Sequence, residues 1–534
     1  MSRIVIVGAG VSGAHAALTI LERGHDVEVW DVGREETNFP DEGVSFHDLK
    51  SRLPDPAAYF LGPDLGGLVP PTSSELLRYP PSRQFLASTE DPLWSFTSDG
   101  FSAQGSFAKG GFANGWGANA LAFDENDLSG WPVSFSEMEA AYKTVYERIP
   151  VAGPRDDDLT PLLPGVHPSQ PPVRLTPADE RLLQTYQRRK GTLAKLGVKV
   201  GAARLAVVTD PARGDACDYL DRCLWGCPRA SIYNPRMSTL KECEAYGGFR
   251  YVRGRLVLSL LSGDGKITRI RYLDTATDQI REEPCGAVFL AAGALQTGAI
   301  FLRTLKAGQP DISAQTEGLM DTSVVRIPFV QLRGVGQPPA ARSFQFNRLI
   351  LGMITETALW PRYLHGELLH LTGLLYYPLI ERLPFDSRLS KKLFFAIRSA
   401  LGAATFFFPD RITSGNHQAI TDHSGRWEKI QLRYRETEDK ENYILQSVSR
   451  ARSALRRLAC VPRGAVRSPP GAGIHYAGTV PMGEGPKRCG PTGRSNLFSN
   501  LYIADGAAFP SLPSKSITMS LAAHATRVAR SAQL

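Results

Sequence analysis

Three glycines, Gly8, Gly10 and Gly13, stand in the run GAGVSG directly after the apolar stretch Ile4–Val7. This spacing suits a phosphate-binding turn. Gly8 permits the tight turn, Gly10 lets backbone approach a pyrophosphate, and Gly13 lets the following helix pack close to the strand. The amides at that helix's start, and its dipole, favour anionic phosphate. A second alternating run, DVEVW, ends at Asp31, placed to accept from a ribose 2′-hydroxyl. An acid there disfavours a 2′-phosphate, so NADP is the least suitable ligand. Near the other end, NLYIAD is a strand that delivers Asp505 and Gly506, and a helix follows it. The chain thus approaches the nucleotide twice. FAD, being long, must be held at both ends, whereas NAD does not need the return.

The elements that must position these residues define an α/β fold. Ile4–Val7 is β-branched and apolar throughout, as a central parallel strand buried on both faces should be. The next helix carries Ala14, Ala17, Leu18 and Leu21 and stops at Gly24. A Rossmann-like unit is expected over 1–309 and 471–534, with long excursions between 34 and 235. The capping pair Ser136 and Glu139 is expected to open a helix, and another helix should run from about Asp179 to Leu196. Residues 250–305 read as a strand meander closing in AVFLAAG, a buried strand that enters a small-residue turn. From 310 to 470 the character changes. A second, α+β substrate-binding domain is placed there, with an antiparallel sheet and helices.

Composition narrows the function. The 534 residues, 43% hydrophobic and 21% charged, describe a folded globular protein too long for one ordinary core. The net charge is +8, yet no basic run is interleaved with aromatics, so nucleic acid is not expected as a partner. No cleavable leader pattern precedes Ile4, and no apolar run is long enough to span a bilayer. With seven scattered cysteines, a reducing cytoplasm is expected. Cys217, Cys223 and Cys227 cluster, but zinc would need a tighter pair and a fourth ligand. A reduced structural cluster, and no metal, is the expectation.

Five segments carry a family resemblance: VGAGVSG, KGGFANGWGA, VFLAAGALQTG, HYAGTVPMG and NLYIADGAAFPS. In kind and order the chain resembles the glucose–methanol–choline family of flavin oxidoreductases. The resemblance covers both ends and the middle of the FAD unit, and touches 310–470 only by position. It implies FAD extended across the Rossmann sheet, with adenosine near Gly8, Gly10, Gly13 and Asp31. The loop around Gly111, Asn114 and Gly115 would cover the pyrophosphate. A strand near Val257 would pass the adenine, and Asp505 with Gly506 would meet the ribityl–flavin end. Some relatives attach FAD covalently through a histidine near the glycine loop. Residues 101–123 hold no His or Cys, so FAD is expected to be non-covalent.

The resemblance also implies a reaction, hydride transfer from an alcohol to flavin N5. The hydroxyl proton must leave to a base, and a neutral histidine suits that task. The family's H-x-x-G-T block maps its histidine onto His475. The family's second polar residue, Asn or His, aligns with Ser516, a departure; serine can hydrogen-bond but cannot act as a base. Lys515 is adjacent and could reach in. The substrate is a small-molecule alcohol, either a sugar hydroxyl or a lipid-like alcohol; the electron acceptor is not specified. An FAD-containing lyase and a membrane-associated binding protein without turnover are the alternatives. The segment 368–408 is apolar and aromatic, with Leu389, Leu393, Ile397 and Leu401 on one stripe and Arg388, Lys391, Lys392 and Arg398 outside it. It suits either peripheral membrane contact at the inner face or a core helix beneath the substrate sheet.

Overall fold

The computed structural model describes residues 3–35, 43–62, 64–66, 79–87, 91–308, 312–340, 342–355, 357, 359–371, 380, 383–422 and 425–534. Strand Ile4–Val7 is wholly buried and sits third in a five-stranded parallel sheet. Its neighbours are Val27–Asp31 on one side and Ala287–Leu290 on the other. Phe249–Arg253 and Leu501–Ile503 form the two edges. All five strands are parallel, and the central ones are buried on both faces, in two separate core clusters, which explains the unbroken apolar runs. Helix Val11–Glu22 packs on one face, and Gly24, with φ +81°, follows its end as expected. The meander is present as three antiparallel strands, Arg255–Gly263, Lys266–Asp274 and Gln279–Pro284.

The second unit is built on an antiparallel sheet whose long strands are Ser323–Gln331, Leu401–Phe408, Tyr363–His370 and Leu349–Ile354. Val198–Ala202 pairs with the last of these, although in sequence it lies well before residue 310. Helix Pro177–Ala194 packs against the same sheet through Leu182, Tyr186 and Leu193. A buried ion cluster fastens that helix. Asp179 accepts from Arg348 Nε and pairs with His370 Nδ1 at 3.0 Å, and Asp179 and Arg348 are fully buried. Burial alone would push the Asp179 carboxyl up. Arg348, helped by His370, outweighs it and holds the group well below the usual carboxylate range.

Helix Phe135–Arg148 begins one short step earlier than its sequence suggests. The capping box is Ser134 with Glu137, not Ser136 with Glu139, because the same S-x-x-E spacing occurs twice in VSFSEME. Starting at the earlier serine makes Phe135 helical and lets it pack on the main core.

Asp179→Ala would strand a buried guanidinium, so a loss of about 3–5 kcal/mol is expected in thermal or denaturant unfolding. The native carboxyl is depressed, so the wild-type contribution is complete above the unfolded value of about 4 and is lost as pH falls below it. Equal acid sensitivity in wild type and Asp179→Ala would contradict the assignment.

Candidate functional site

The glycine turn does what its spacing demands. Gly8 has φ +102°, and a Cβ on it would lie 2.5 Å from Ala291 O. A Cβ on Gly13 would lie 1.9 Å from Gly8 O, so helix and strand touch through backbone alone. Gly10 is different, because a Cβ there would meet nothing within 4 Å. It borders a cavity of about 970 Å³, which Gly8, Asp31 and Val257 also line. Asp31 accepts from the Tyr251 hydroxyl at 3.2 Å, and burial pushes its carboxyl up to about 7.

The glycine loop lies over this turn. Gly110 N donates to Ala9 O at 3.2 Å, and Gly111, with φ +59°, approaches Gly10. Gly111 and Gly115 line the cavity, but Asn114 does not. Asn114 braces the loop from behind. Its amide donates to Lys109 O and Gly111 O at 3.0 and 2.7 Å, and it accepts from Asn234 at 2.6 Å.

Asp505, at the end of the Leu501–Ile503 strand, and Gly506 both line the cavity. The Asp505 carboxylate accepts from Gly293 N at 2.8 Å, Thr297 Oγ1 at 2.6 Å and Ala507 N at 2.9 Å. It joins the last parallel strand to the start of helix Ala294–Gly308. Burial lifts it to about 6 despite those three donors.

His475 lines the same cavity and is held unusually firmly. Asp321, which is buried, accepts from Gly473 N at 2.8 Å and from His475 N at 2.9 Å. The residue between them, Ile474, has φ +56°, a strained conformation for a β-branched side chain. The carboxylate clamps the strained residue from both sides. The imidazole Nδ1 is 2.9 Å from Thr322 Oγ1, and among the described residues Nε2 has no protein partner. The ring faces Phe407 at 5.5 Å. Burial lowers the imidazole to about 4, so it is neutral at ordinary pH.

The wall opposite comes from the second sheet, and its polar residues were not singled out from sequence. His365 and Glu367 alternate along Tyr363–His370, beside Thr405 and Phe407 of the neighbouring strand and Arg326 of the next. His365 Nε2 is buried without a hydrogen-bond partner, 3.9 Å from Glu367 Oε1. Burial, reinforced by the charge of Lys515 and, once it is protonated, of His475, lowers His365 to about 3. Burial raises Glu367 to about 7, although Arg326 and a 2.6 Å bond from Asn119 pull it back. The signal was present in YLHGELLH, where His365 and Glu367 stand two apart among mostly apolar residues. Period-2 spacing put both on one face.

Ser516 lines the cavity, with 8% of its surface exposed. Lys515 does not reach in. Its ammonium is fully buried between Asp124 at 2.8 Å and Asp127 at 2.6 Å. Successive residues point opposite ways here, and two carboxylates hold the cation on the far side. Cys217, Cys223 and Cys227 are free, half-buried thiols, and burial pushes Cys217 up to about 12. Among the described residues no group of His, Cys, Asp or Glu is disposed to hold a metal ion.

With this geometry, the likenesses to known proteins are informative. The family profile described as GMC oxidoreductase matches residues 422–525. The 2-methyl-1,2-propanediol dehydrogenase of Mycolicibacterium austroafricanum is 26% identical over 200 residues, 37% of this chain and 35% of that protein. The chain therefore matches about a third of the length of that curated relative. Two solved structures share the fold over nearly the whole chain. One is pyridoxine 4-oxidase from Mesorbium loti, with TM-score 0.62, 15% identity and 99% of both chains covered. The other is an FAD-dependent oxidoreductase from Chaetomium thermophilum, with TM-score 0.61, 14% identity and 99% and 98% covered. Residues 422–525 thus resemble the GMC oxidoreductases, and the whole chain shares its fold with these two oxidoreductase structures.

The residues fit a dinucleotide of the FAD kind. Gly10 opens onto space that a pyrophosphate could fill, Asp31 lines the same cavity, and that cavity continues to Asp505 and His475.

Two substitutions separate packing from binding. Gly10→Val should fold but lose bound FAD, read as absent flavin absorbance with unchanged circular dichroism. Gly13→Val drives a side chain into Gly8 O and should fail to fold stably. Lys515→Met would leave two buried carboxylates facing each other, and a loss of about 3–5 kcal/mol in unfolding is expected.

Proposed function

We propose that the protein is an FAD-dependent oxidoreductase that oxidises an alcohol, with His475 as the base. One observation carries this reading. A single cavity has the phosphate-binding turn at one end and a neutral, backbone-clamped histidine at the other. FAD, when bound, would accept a hydride from the alcohol carbon. The flavin is taken to be non-covalent, since residues 101–123 hold no His or Cys.

His475 acts in the tautomer that donates Nδ1–H to Thr322 Oγ1, which leaves the Nε2 lone pair for the hydroxyl proton. A pKa near 4 keeps that lone pair available at neutral pH. His365 Nε2, buried and unpartnered, offers a second contact to the alcohol oxygen, and Glu367, bonded to Asn119, sits beside it. These residues take the place that Ser516 fills only weakly. Ser516 lines the cavity and contributes at most one hydrogen bond, about 1 kcal/mol. Farther from His475 the wall is apolar, with Phe329, Leu369, Ile397 and Leu401. That lining favours a lipid-like alcohol over a sugar, whose many hydroxyls would lose their water partners there.

Anaerobic addition of long-chain and sterol alcohols should bleach the flavin absorbance of the wild type, and sugars should do so less. Bleaching by none of these would overturn the reading. His475→Ala should retain FAD and slow flavin reduction by about 10²–10⁴-fold in stopped flow. The wild-type rate should be flat above pH ~5 and fall as pH drops through about 4, where protonation removes the base. A rate that rises with acid would contradict the role.

A further inference from the structure

We infer that the mouth of this cavity is ringed by a lipid-docking face, through which a membrane-dissolved alcohol enters. Helix Ser387–Ile397 is not a core helix. Only Ser390 and Phe394 are buried, while Leu389 and Leu393, one turn apart, are 41% and 37% exposed. Phe385 precedes the helix and Phe395 lies on its other flank, both exposed. The segment 332–336 docks against the end of this helix, with Gly336 N donating to Ala396 O at 2.8 Å and Gly334 lying against Ala400. It adds exposed Leu332 and Val335. Strand Cys460–Pro462 pairs with Ser323–Gln331 next to that segment and adds exposed Val461. Of the twelve large apolar side chains exposed among the described residues, seven lie on or beside this helix and the segments adjoining it. Scattered singly they would mean nothing, but grouped they mark a contact surface.

Two observations select a lipid surface as the occupant. The first is charge. Lys392 and then Arg388 follow the apolar stripe around the exposed side of the helix, with Lys391 beyond them, Arg333 and Arg463 are exposed on the adjoining segments, and Asp386 is spent capping the helix. An apolar stripe bordered by basic residues matches an anionic bilayer interface. The second is position. Ile397, on the inner side of the same helix, lines the cavity together with Leu371 and Leu401, and so does exposed Arg463, two residues from Val461. An alcohol leaving the acyl region would reach the cavity without crossing water. Among the described residues no helix is long and apolar enough to cross a membrane, so the contact is peripheral. Residues 372–379, 381 and 382 of the apolar run lie outside the described residues.

The entry route rests on the alcohol-oxidising reading, but the docking face is tested apart from it. FAD-loaded protein is sedimented with vesicles of phosphatidylcholine alone or mixed with phosphatidylglycerol. Binding to the mixed vesicles at low salt, weakened by added salt, is expected. Lys391→Glu with Lys392→Glu should lower partitioning on the order of 30-fold. Leu389→Asp with Leu393→Asp should lower it by roughly tenfold or more. Both variants should keep FAD and the wild-type melting temperature, since all four side chains are exposed. No sedimentation with anionic vesicles overturns the proposal, as does equal sedimentation of wild type and both variants. A concentration-dependent dimer abolished by Leu389→Asp with Leu393→Asp also overturns it, by assigning the face to a second copy. Because the readout is sedimentation, a protein that docks yet reduces no flavin would leave this surface intact and overturn only the reaction.

Discussion

The carboxylate of Asp321 governs the geometry of the site. It is buried at the entry to strand Ser323–Gln331 and reaches across to the backbone of Gly473 and His475. Between those two amides Ile474 is forced to φ +56°. A β-branched residue does not hold that conformation unaided, at a cost of order 1–3 kcal/mol. The carboxylate is itself secured. Asp321 N donates to Asp410 at 3.0 Å, and Asp410 pairs with buried Lys440 at 3.1 Å and accepts from Tyr434 at 2.7 Å. Burial lifts Asp321 to about 7, so the clamp is a group under electrostatic tension, balanced by its two amide donors and by Lys440. The first strand of the second sheet therefore sets the direction of the histidine that the C-terminal segment supplies.

Carboxylates of this kind fasten the first unit within itself and to the second. Asp505 ties the last parallel strand to the helix after Ala287–Leu290, and Asp321 ties the second sheet to the His475 segment. Each accepts from backbone amides whose donors would otherwise be buried without partners, which would cost about 1–3 kcal/mol apiece. The cavity runs between these two anchors. Its nucleotide end is backbone and glycine, where a side chain would obstruct. Its far end is side chains from an antiparallel sheet, where alternate residues face inward. In such an arrangement the first end can stay constant while the second varies with the substrate.

That division explains what was legible in the chain. The parallel sheet, the glycine turn, Asp31 and the returning Asp505 follow from local pattern, because each depends on neighbours close in sequence. His475 was reached only through its surrounding block. Lys515 and Asn114 lie near the cavity without lining it for one reason: sequence position says that a side chain is near the cavity, not which way it points. Asp124 and Asp127, nearly four hundred residues away, turn Lys515 aside. His365, Glu367 and Arg326 were invisible as a group, since three strands must pair in register before they face one space. The strand Val198–Ala202 joins that sheet from outside the expected segment for the same reason. The stripe Leu389 and Leu393 carried both of its readings until the tertiary structure left it uncovered.

The clamp is tested most directly by Asp321→Asn. The two backbone amides address different carboxylate oxygens, so in the amide one of them would face an NH₂ in place of an acceptor. Using an alcohol that bleaches the wild-type flavin, the rate of anaerobic flavin reduction is compared in stopped flow, with FAD content measured on the same samples. The account predicts full FAD occupancy and a reduction rate lower by at least about tenfold, because His475, the proposed base, is displaced while the nucleotide end is untouched. Reduction at the wild-type rate by a fully FAD-loaded Asp321→Asn protein would contradict it.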